Sequence, residues 1–316
     1  MLGIIVSRVI QMAVVVICVT IMTFALVNVL PGNIIYSILG SSYTKQAAAT
    51  LSVQLHLNQP LIVRYLDWFG GVLHGNLGQS LLTHQNVAST IWAAAPPTVE
   101  LIIGAQVFAI VLAVVLAAAS VASPTVWVDR SATAFSLFGN SIPAFVTGLI
   151  LLIVFSVHWH LVSSVGWVSP STGGWAANIS AIALPSIILA ISIFPGYMRI
   201  FRREMQEQIE NEEYVTLARM KGIGLARVVS LHVARNSALG IVTLIGLSTG
   251  LLVGGAVIVE QIFAIPGIGT LLLNGINGRD VTVVEGCILV IAVAVVLMNL
   301  VADLVYALFD PRVRED

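Results

Sequence analysis

The sequence predicts an all-α polytopic membrane protein with six transmembrane helices and a small external region after the first span. Its 316 residues have a mean hydropathy of +1.00, and only 9% of them are charged, which places the chain far outside the range of soluble domains. An apolar run of about 20 residues is long enough to cross the hydrocarbon core as a helix. Runs of that kind lie at residues 9–30, 98–122, 132–157, 179–200, 238–259 and 284–308.

The first run follows a basic residue, as the apolar core of a signal peptide would. However, the apolar part of "SRVIQMAVVVICVTIMTFALVNVL" is longer than a signal peptide needs, and "NVLPGN" contains no small-x-small cleavage site. We therefore expect residues 1–30 to hold a retained first span.

Residues 31–97 are predicted to form an external cap region of mixed composition. Asn58 is the expected N-cap of a short helix that has Pro60 in its first turn. The stretch "NVASTIWAAAPP" predicts a second short helix, lying at the interface and stopped by Pro96 and Pro97. The buried face of the first helix would carry Leu61, Tyr65, Trp68 and Phe69.

Residues 98–316 would form a five-helix core, and the Lys and Arg counts orient it. Eleven of these residues lie on the ends and connections that share a side with the N-terminus: Arg8, Arg130, seven between spans four and five, Arg312 and Arg314. The other side has Lys45, Arg64 and Arg279. Both termini and the long charged connection are therefore predicted to be cytoplasmic.

The charged connection, residues 200–236, is the most informative segment. The stretch "EEYVTLARMKGIGLARVVSLHVARN" predicts a helix, a corner at Gly222 and Gly224, and a second helix. The second helix would be amphipathic, with Leu225, Val228, Val229 and His232 on one face. Such an element suits docking to a partner. The alternative is a solvated positive-inside anchor, which accounts for the arginines but not for the amphipathic helix or the paired glycines.

This stretch resembles the cytoplasmic coupling loop, or EAA loop, of permease subunits in ATP-binding-cassette importers, most closely those for dipeptides, oligopeptides and nickel. Ala218 and Gly222 fall on the most characteristic alanine and glycine of that motif. Thr216, Leu217 and Arg235 depart from the general motif in ways that the peptide branch shares. The segments "LPGN", "LNQPLIVRYLDWFGGVLHGNLGQS", "GGAVIVEQIFAIPGIGTLL" and "LVADLVYALFDPRVRED" extend the resemblance nearly from end to end. The external region is similar to that of the first, B-type, of the two paired permeases.

The resemblance implies a type I ABC importer permease fold in a bacterial plasma membrane. Its expected partners are a second homologous permease, two ATPase subunits, an external peptide-binding protein and the lipid bilayer, with no nucleic acid. ATP–Mg would bind to the ATPase subunits, because this chain has no G-x-x-x-x-G-K-[ST] phosphate loop. The chain itself is expected to bind no cofactor and to have no enzymatic activity. The residues expected to contact the ATPase are Glu213, Tyr214, Ala218, Lys221, Gly222 and Gly224.

Two groups of residues within the spans leave alternatives open. Gly246, Gly250 and Gly254 lie four residues apart, a spacing that permits close helix packing in lipid or leaves room for substrate in the pathway. Acidic side chains in or near spans suit either a proton relay or structural hydrogen bonds. These acids are Glu100, Glu260 and Asp303.

Two other function classes are compatible with a polytopic chain. An ion-gradient-driven secondary transporter would favour mid-membrane carboxylates and inverted repeats, and the sequence has no evident repeat. A membrane-embedded hydrolase would need a motif such as H-E-x-x-H, which is absent, or G-x-S-x-G on a strand-to-helix turn. The letters of the second motif occur once, as "GLSTG" at residues 246–250, but inside a predicted transmembrane helix. Cys18 and Cys287 lie inside predicted spans, where we expect small apolar fillers rather than a disulfide or metal site.

Overall fold

The computed structural model describes residues 2–29, 34–40, 43–54, 57–123, 142–160, 166–237 and 239–309, together with 125, 127, 130, 131, 133 and 134. Five of the helices in this part of the chain are long and apolar enough to cross a membrane, and a shorter apolar helix covers Phe145–His158. The fold is therefore the all-helical membrane fold that the sequence predicts. Three parts of the predictions lie outside the described residues: "LPGN", residues 135–141 of the third span, and Arg312 with Arg314.

The N-terminal part contains four helices. They are α1 (Leu2–Val29), α2 (Ile34–Leu39), α3 (Lys45–Gln54) and α4 (Leu61–Leu73). Helix α4 begins directly after Pro60, whose φ of −56° and ψ of 142° put it at the cap position. The predicted N-cap at Asn58 is therefore wrong, because Pro60 fixes the entry of the chain two residues later.

Helix α4 packs its aromatic side chains against α1. The ring centroids of Phe24 and Tyr65 are 5.5 Å apart, and the Tyr65 and Thr20 hydroxyls share a hydrogen bond of 3.0 Å. Three of the four residues of the predicted buried face, Tyr65, Trp68 and Phe69, are half-buried, whereas the fourth, Leu61, is exposed. At about 100° per residue Leu61 lies on the same side of the helix as Tyr65 and Trp68, but it is the first residue of α4.

Helix α5 (Val87–Ala122) runs without interruption through Pro96 and Pro97. The predicted stop at this proline pair is wrong. A proline removes its own N–H bond but keeps a helical φ, and ending a helix in an apolar environment would leave many more backbone groups unpaired.

The remaining helices follow in chain order. They are α6 (Ala144–Leu151), α7 (Pro170–Asn211), α8 (Glu213–Met220), α9 (Leu225–Val228), α10 (Leu239–Ile262), α11 (Ile268–Gly278) and α12 (Val281–Phe309). Helix α6 continues in π-helical form over Leu152–His158. Helix α9 continues as a π-helical turn over Val229–Val233 and ends with a last turn over Ala234–Asn236. Helix α7 bends at Gly174, where φ is 76°.

The chain divides into two compact units, Met1–Pro96 with Pro266–Leu297 and Pro97–Ile265 with Met298–Asp316. The first unit has a small core formed by the start of α5, by α11 and by α12, whose buried residues are Val87, Ile91, Ala94, Ile268, Val283 and Cys287. A buried carboxylate, Asp280, holds the turn before α5 by accepting hydrogen bonds from the Ser80 hydroxyl and the Leu81 amide.

The second unit has the larger core, and helix α7 lies at its centre. Its largest fully buried side chains are Phe194, Tyr197 and Phe201 of α7. Helix α5 contributes a stripe of small side chains with four-residue spacing, a pattern that lets helices approach closely in lipid. The stripe consists of Ala105, Ala109, Ala113 and Ala117.

Candidate functional site

Helix α7 extends well past its apolar part, and its C-terminal end forms the start of the charged connection. From the bend at Gly174 to Asn211 the helix rises about 55 Å at 1.5 Å per residue, against a hydrocarbon core of about 30 Å. Glu212 then has extended backbone angles, φ −96° and ψ 125°, and α8 begins. The charged end of α7 and helices α8 and α9 therefore follow one another as one charged element, which we call the coupling element (residues 200–236).

The corner between α8 and α9 is a Schellman motif. The Gly222 amide donates to the Arg219 carbonyl at 2.9 Å, and the Ile223 amide donates to the Ala218 carbonyl at 3.1 Å. These are the two hydrogen bonds of that helix C-cap, which needs a left-handed residue at the glycine position. Gly222 has a φ of +78°, in agreement with the predicted corner. Gly224 has φ −61° and ψ 145°, so it starts α9 in a conformation open to any residue.

The coupling element packs firmly onto the core of its own unit. Val215 of α8 and three valines beyond the corner are at most 1% exposed. Each fully buried valine contributes roughly 1.5–3 kcal/mol through the apolar area it removes from water. The three buried valines beyond the corner are Val228, Val229 and Val233.

The inner face of α9 differs from the prediction at one position. His232 is exposed, and Val233 takes the buried place instead. The cause is the π-helical turn Val229–Val233, whose wider i→i+5 bonding shifts the following side chains by about one position. His232 instead lies edge-on to Tyr214, with ring centroids 6.4 Å apart.

The predicted ATPase-contact residues divide into two groups in the structure. Tyr214 and Ala218 are half-buried and pack against the core, and the Tyr214 hydroxyl donates to Gln208 Oε1 at 2.9 Å. These two residues hold the element together. The others lie on its exposed surface, and they are Glu213, Lys221, Gly222 and Gly224.

Sequence reasoning missed an exposed apolar patch on the coupling element. We define the patch as Leu217, Met220 and Ile223, which are 56%, 80% and 37% exposed. Leu217 and Met220 lie three residues apart on α8, and Ile223 is bonded back to the same helix end. Three large apolar side chains exposed close together on a charged element are a feature typical of protein interaction surfaces. The signal available in the sequence was Leu217, one of the departures from the general motif.

A second feature of the same unit is a cavity between α7 and α10 with a volume of about 340 Å³. Two of its lining residues, Tyr197 and Ser248, belong to a cluster of hydrogen-bonded polar groups from three helices. The Tyr197 hydroxyl donates to Gln106 Oε1 at 2.6 Å and bonds to the Ser248 hydroxyl, and Gln106 Nε2 donates to Ser248 at 3.1 Å. The lining residues are Thr133, Ser192, Ile193, Pro195, Gly196, Tyr197, Met198, Arg199, Arg202, Leu244, Leu247, Ser248 and Leu251.

The three spaced glycines of α10 have different surroundings. A Cβ on Gly246 would lie 2.6 Å from Ala302 Cβ, so this glycine sits in close contact with α12. Gly250 and Gly254 are exposed, and among the described residues a Cβ on Gly254 would meet no atom within 4 Å. The geometry therefore favours packing at Gly246 alone.

Two of the three acids in or near the predicted spans, Glu100 and Glu260, accept hydrogen bonds from neighbouring side chains. Glu100 Oε2 accepts from Trp167 Nε1 and from Asn178 Nδ2, both at 2.8 Å. Glu260 Oε1 accepts from the Thr98 hydroxyl at 2.6 Å. These bonds favour the structural alternative for Glu100, which lies inside α5, and for Glu260, which lies near the end of α10.

Comparison with known proteins gives matches over nearly the whole chain. Residues 109–315 match the family described as binding-protein-dependent transport system inner membrane component, and residues 1–102 match the N-terminal part of such membrane components. The chain is 34% identical over 322 residues to the di/tripeptide transport system permease protein DppB of Pseudomonas aeruginosa. It is 33% identical over 319 residues to the dipeptide transport system permease protein DppB of Escherichia coli. Both matches cover 94% of this chain and 94% of the relative. A Brucella suis protein provisionally named a peptide permease is 38% identical over 299 residues, 93% of each chain.

Proposed function

Because the chain belongs to the family of binding-protein-dependent transport system inner membrane components, we propose that it is a permease subunit of an ATP-driven importer of short peptides. It is a multi-pass protein of the inner membrane. In the proposed assembly it pairs with a second homologous permease to enclose the pathway. An external peptide-binding protein delivers the substrate, and both termini face the cytoplasm.

In this proposal ATP and Mg²⁺ bind to two partner ATPase subunits. Those subunits dock on the coupling element and transmit their conformational change through it. The observation that supports this most is the combination of a firmly packed inner face and an exposed apolar patch. A patch of Leu217, Met220 and Ile223 can be buried by a partner, while the buried valines keep the element from moving independently of the core.

Force on the element reaches the spans through α7. Helix α7 is continuous from the bend at Gly174 to Asn211, so a displacement at its charged end is carried along the helix axis. The side chains that make α7 the centre of its core then move with it, and packed cores switch between arrangements rather than deform smoothly.

Reconstitution with the partner ATPases and the binding protein tests the proposal. We expect uptake of dialanine into proteoliposomes to require ATP and to persist when a protonophore collapses the proton gradient. Uptake that survives ATP depletion and stops with the protonophore would support the ion-gradient-driven alternative and contradict the proposal.

A further inference from the structure

The cavity between α7 and α10 has the size and shape of a small-ligand site. Its volume of about 340 Å³ lies within the range of roughly 300–1,000 Å³ for small-molecule pockets. Along α7 its lining extends from Ser192 to Arg202, which corresponds to about 15 Å of helix. A molecule of dipeptide size has room to lie along this wall.

One end of the cavity is cationic. Arg199 and Arg202 belong to the lining, and the described lining residues include no acidic side chain. Arg202 is half-buried and oriented by a hydrogen bond from its Nε to the Ser120 hydroxyl at 3.1 Å. Glu204, the next acidic residue along α7, lies against Gly240 of α10. An anionic oxygen group entering the cavity therefore meets positive charge.

The rest of the wall is mixed. Tyr197 and Ser248 bring hydroxyl groups from α7 and α10, and Leu244 with Leu251 add apolar surface. Polar groups within spans usually face other helices or a hydrated cavity. Lipid acyl chains offer the two lining arginines no hydrogen-bond acceptor, whereas a peptide offers a carboxylate that can pair with them.

We propose that this cavity is a substrate subsite that holds the C-terminal carboxylate of a short peptide against Arg199, with Arg202 reinforcing the positive end. A guanidinium pairs with a carboxylate through two parallel N–H···O bonds. Arg199 is exposed and so remains accessible and hydrated, which keeps the contact weak enough for release. This subsite deepens the proposed function and rests on it.

The test uses the assembled transporter, purified in lipid nanodiscs without its binding protein. Binding of radiolabelled dialanine is compared with binding of alanyl-alaninamide, which lacks the carboxylate. We expect the wild type to bind dialanine about tenfold more tightly than the amide, and Arg199→Gln to abolish that preference. Arg199→Lys should restore part of it, because a lysine keeps the charge but not the paired geometry.

Arg203→Gln is the matched control. Arg203 lies one turn further along α7, is highly exposed, and pairs with Glu207 at 2.9 Å; it is not part of the lining. The control should keep the wild-type preference. Equal recovery of the ATPases with every variant shows that the assembly is intact.

Two results would overturn the subsite. One is a wild type that does not distinguish the two ligands, or a preference that survives Arg199→Gln. The other is loss of a co-purifying anionic lipid from Arg199→Gln, seen by mass spectrometry, with peptide binding unchanged; the cavity would then be a lipid site. Failure of the proposed function has a separate sign, namely the absence of ATP-dependent uptake by the wild type.

Discussion

At Gly222 the backbone alone decides which residue fits. The position is exposed, and among the described residues a Cβ would meet no atom within 4 Å, so crowding does not exclude a side chain. The φ of +78° does, because a left-handed conformation costs other residues roughly 1–2 kcal/mol. Gly224 is exposed and equally uncrowded but extended. The two glycines of one corner therefore give a matched pair for experiment.

We predict that Gly222→Ala loosens the corner and that Gly224→Ala does not. A cost of about 1–2 kcal/mol should raise hydrogen–deuterium exchange in residues 217–228 by roughly 5–30-fold. The measurement is exchange mass spectrometry on the purified assembly. Equal exchange in the two variants would show that the left-handed residue does not hold the corner.

A second pair of glycines separates packing from open space on α10. Gly246→Ala would place a methyl group 2.6 Å from Ala302 Cβ, and overpacking of this kind costs roughly 1–3 kcal/mol. We expect a lower midpoint of thermal unfolding for Gly246→Ala in detergent. Gly254→Ala should leave the midpoint unchanged, since its Cβ position is open among the described residues. A similar loss in both variants would mean that the whole glycine stripe serves helix packing.

At the scale of an element, the coupling element combines valines buried in the core with large apolar side chains left exposed in its patch. Met220, at 80% exposure, has the most area to lose to a partner. We predict that Met220→Glu reduces recovery of the ATPase subunits at least tenfold, a change of about 1.4 kcal/mol or more in binding.

Ser230→Glu introduces the same charged residue at an exposed position of the same element, outside the patch. Its ATPase recovery should match that of the wild type. If both variants lose the ATPase equally, added negative charge on the element is responsible, and the patch has no special role.

The sequence predicts much of the coupling element, and the exceptions have identifiable causes. The corner at Gly222 follows from local chemistry, because a glycine after a helix-forming stretch is a frequent C-cap. The burial of Val233 in place of His232 could not be predicted in this way. It results from a π-helical turn, which a pattern of 3.6-residue period does not reveal. The exposure of Met220 could not be predicted either, because apolar side chains in an amphipathic pattern are expected to face inward.

The cavity was beyond sequence reasoning for a different reason. Gln106, Tyr197 and Ser248 come from three helices and are separated by about 50 to 140 positions. Only tertiary packing brings them together, and none of them belongs to a local motif. The predicted helix end at the proline pair in α5 was wrong for the opposite reason. There the local signal is strong, but it is overridden where backbone groups have no water to bind.

For the whole molecule, the distribution of charge and the length of α7 both predict the same orientation in the membrane, with the coupling element on the cytoplasmic side. Helix α7 exceeds the hydrocarbon core by about 25 Å, and its charged end carries the coupling element. Lys and Arg are retained on the cytoplasmic side of bacterial membranes, and seven of 14 lie between residues 199 and 235. An outward coupling element would have required translocating that charge.

We therefore predict that a cysteine at Ser230 reacts with a membrane-impermeant maleimide only in inside-out vesicles, and that a cysteine at Gln85 reacts only in intact spheroplasts. Both positions are exposed, and Gln85 lies in the turn before α5, on the predicted outer side. Replacing Cys18 and Cys287 with serine or alanine removes the background thiols. Dialanine uptake by this cysteine-free chain verifies that it still functions. Reaction of the Ser230 position in intact spheroplasts would place the coupling element on the outer face, where no ATP is available, and would exclude ATPase docking at this surface.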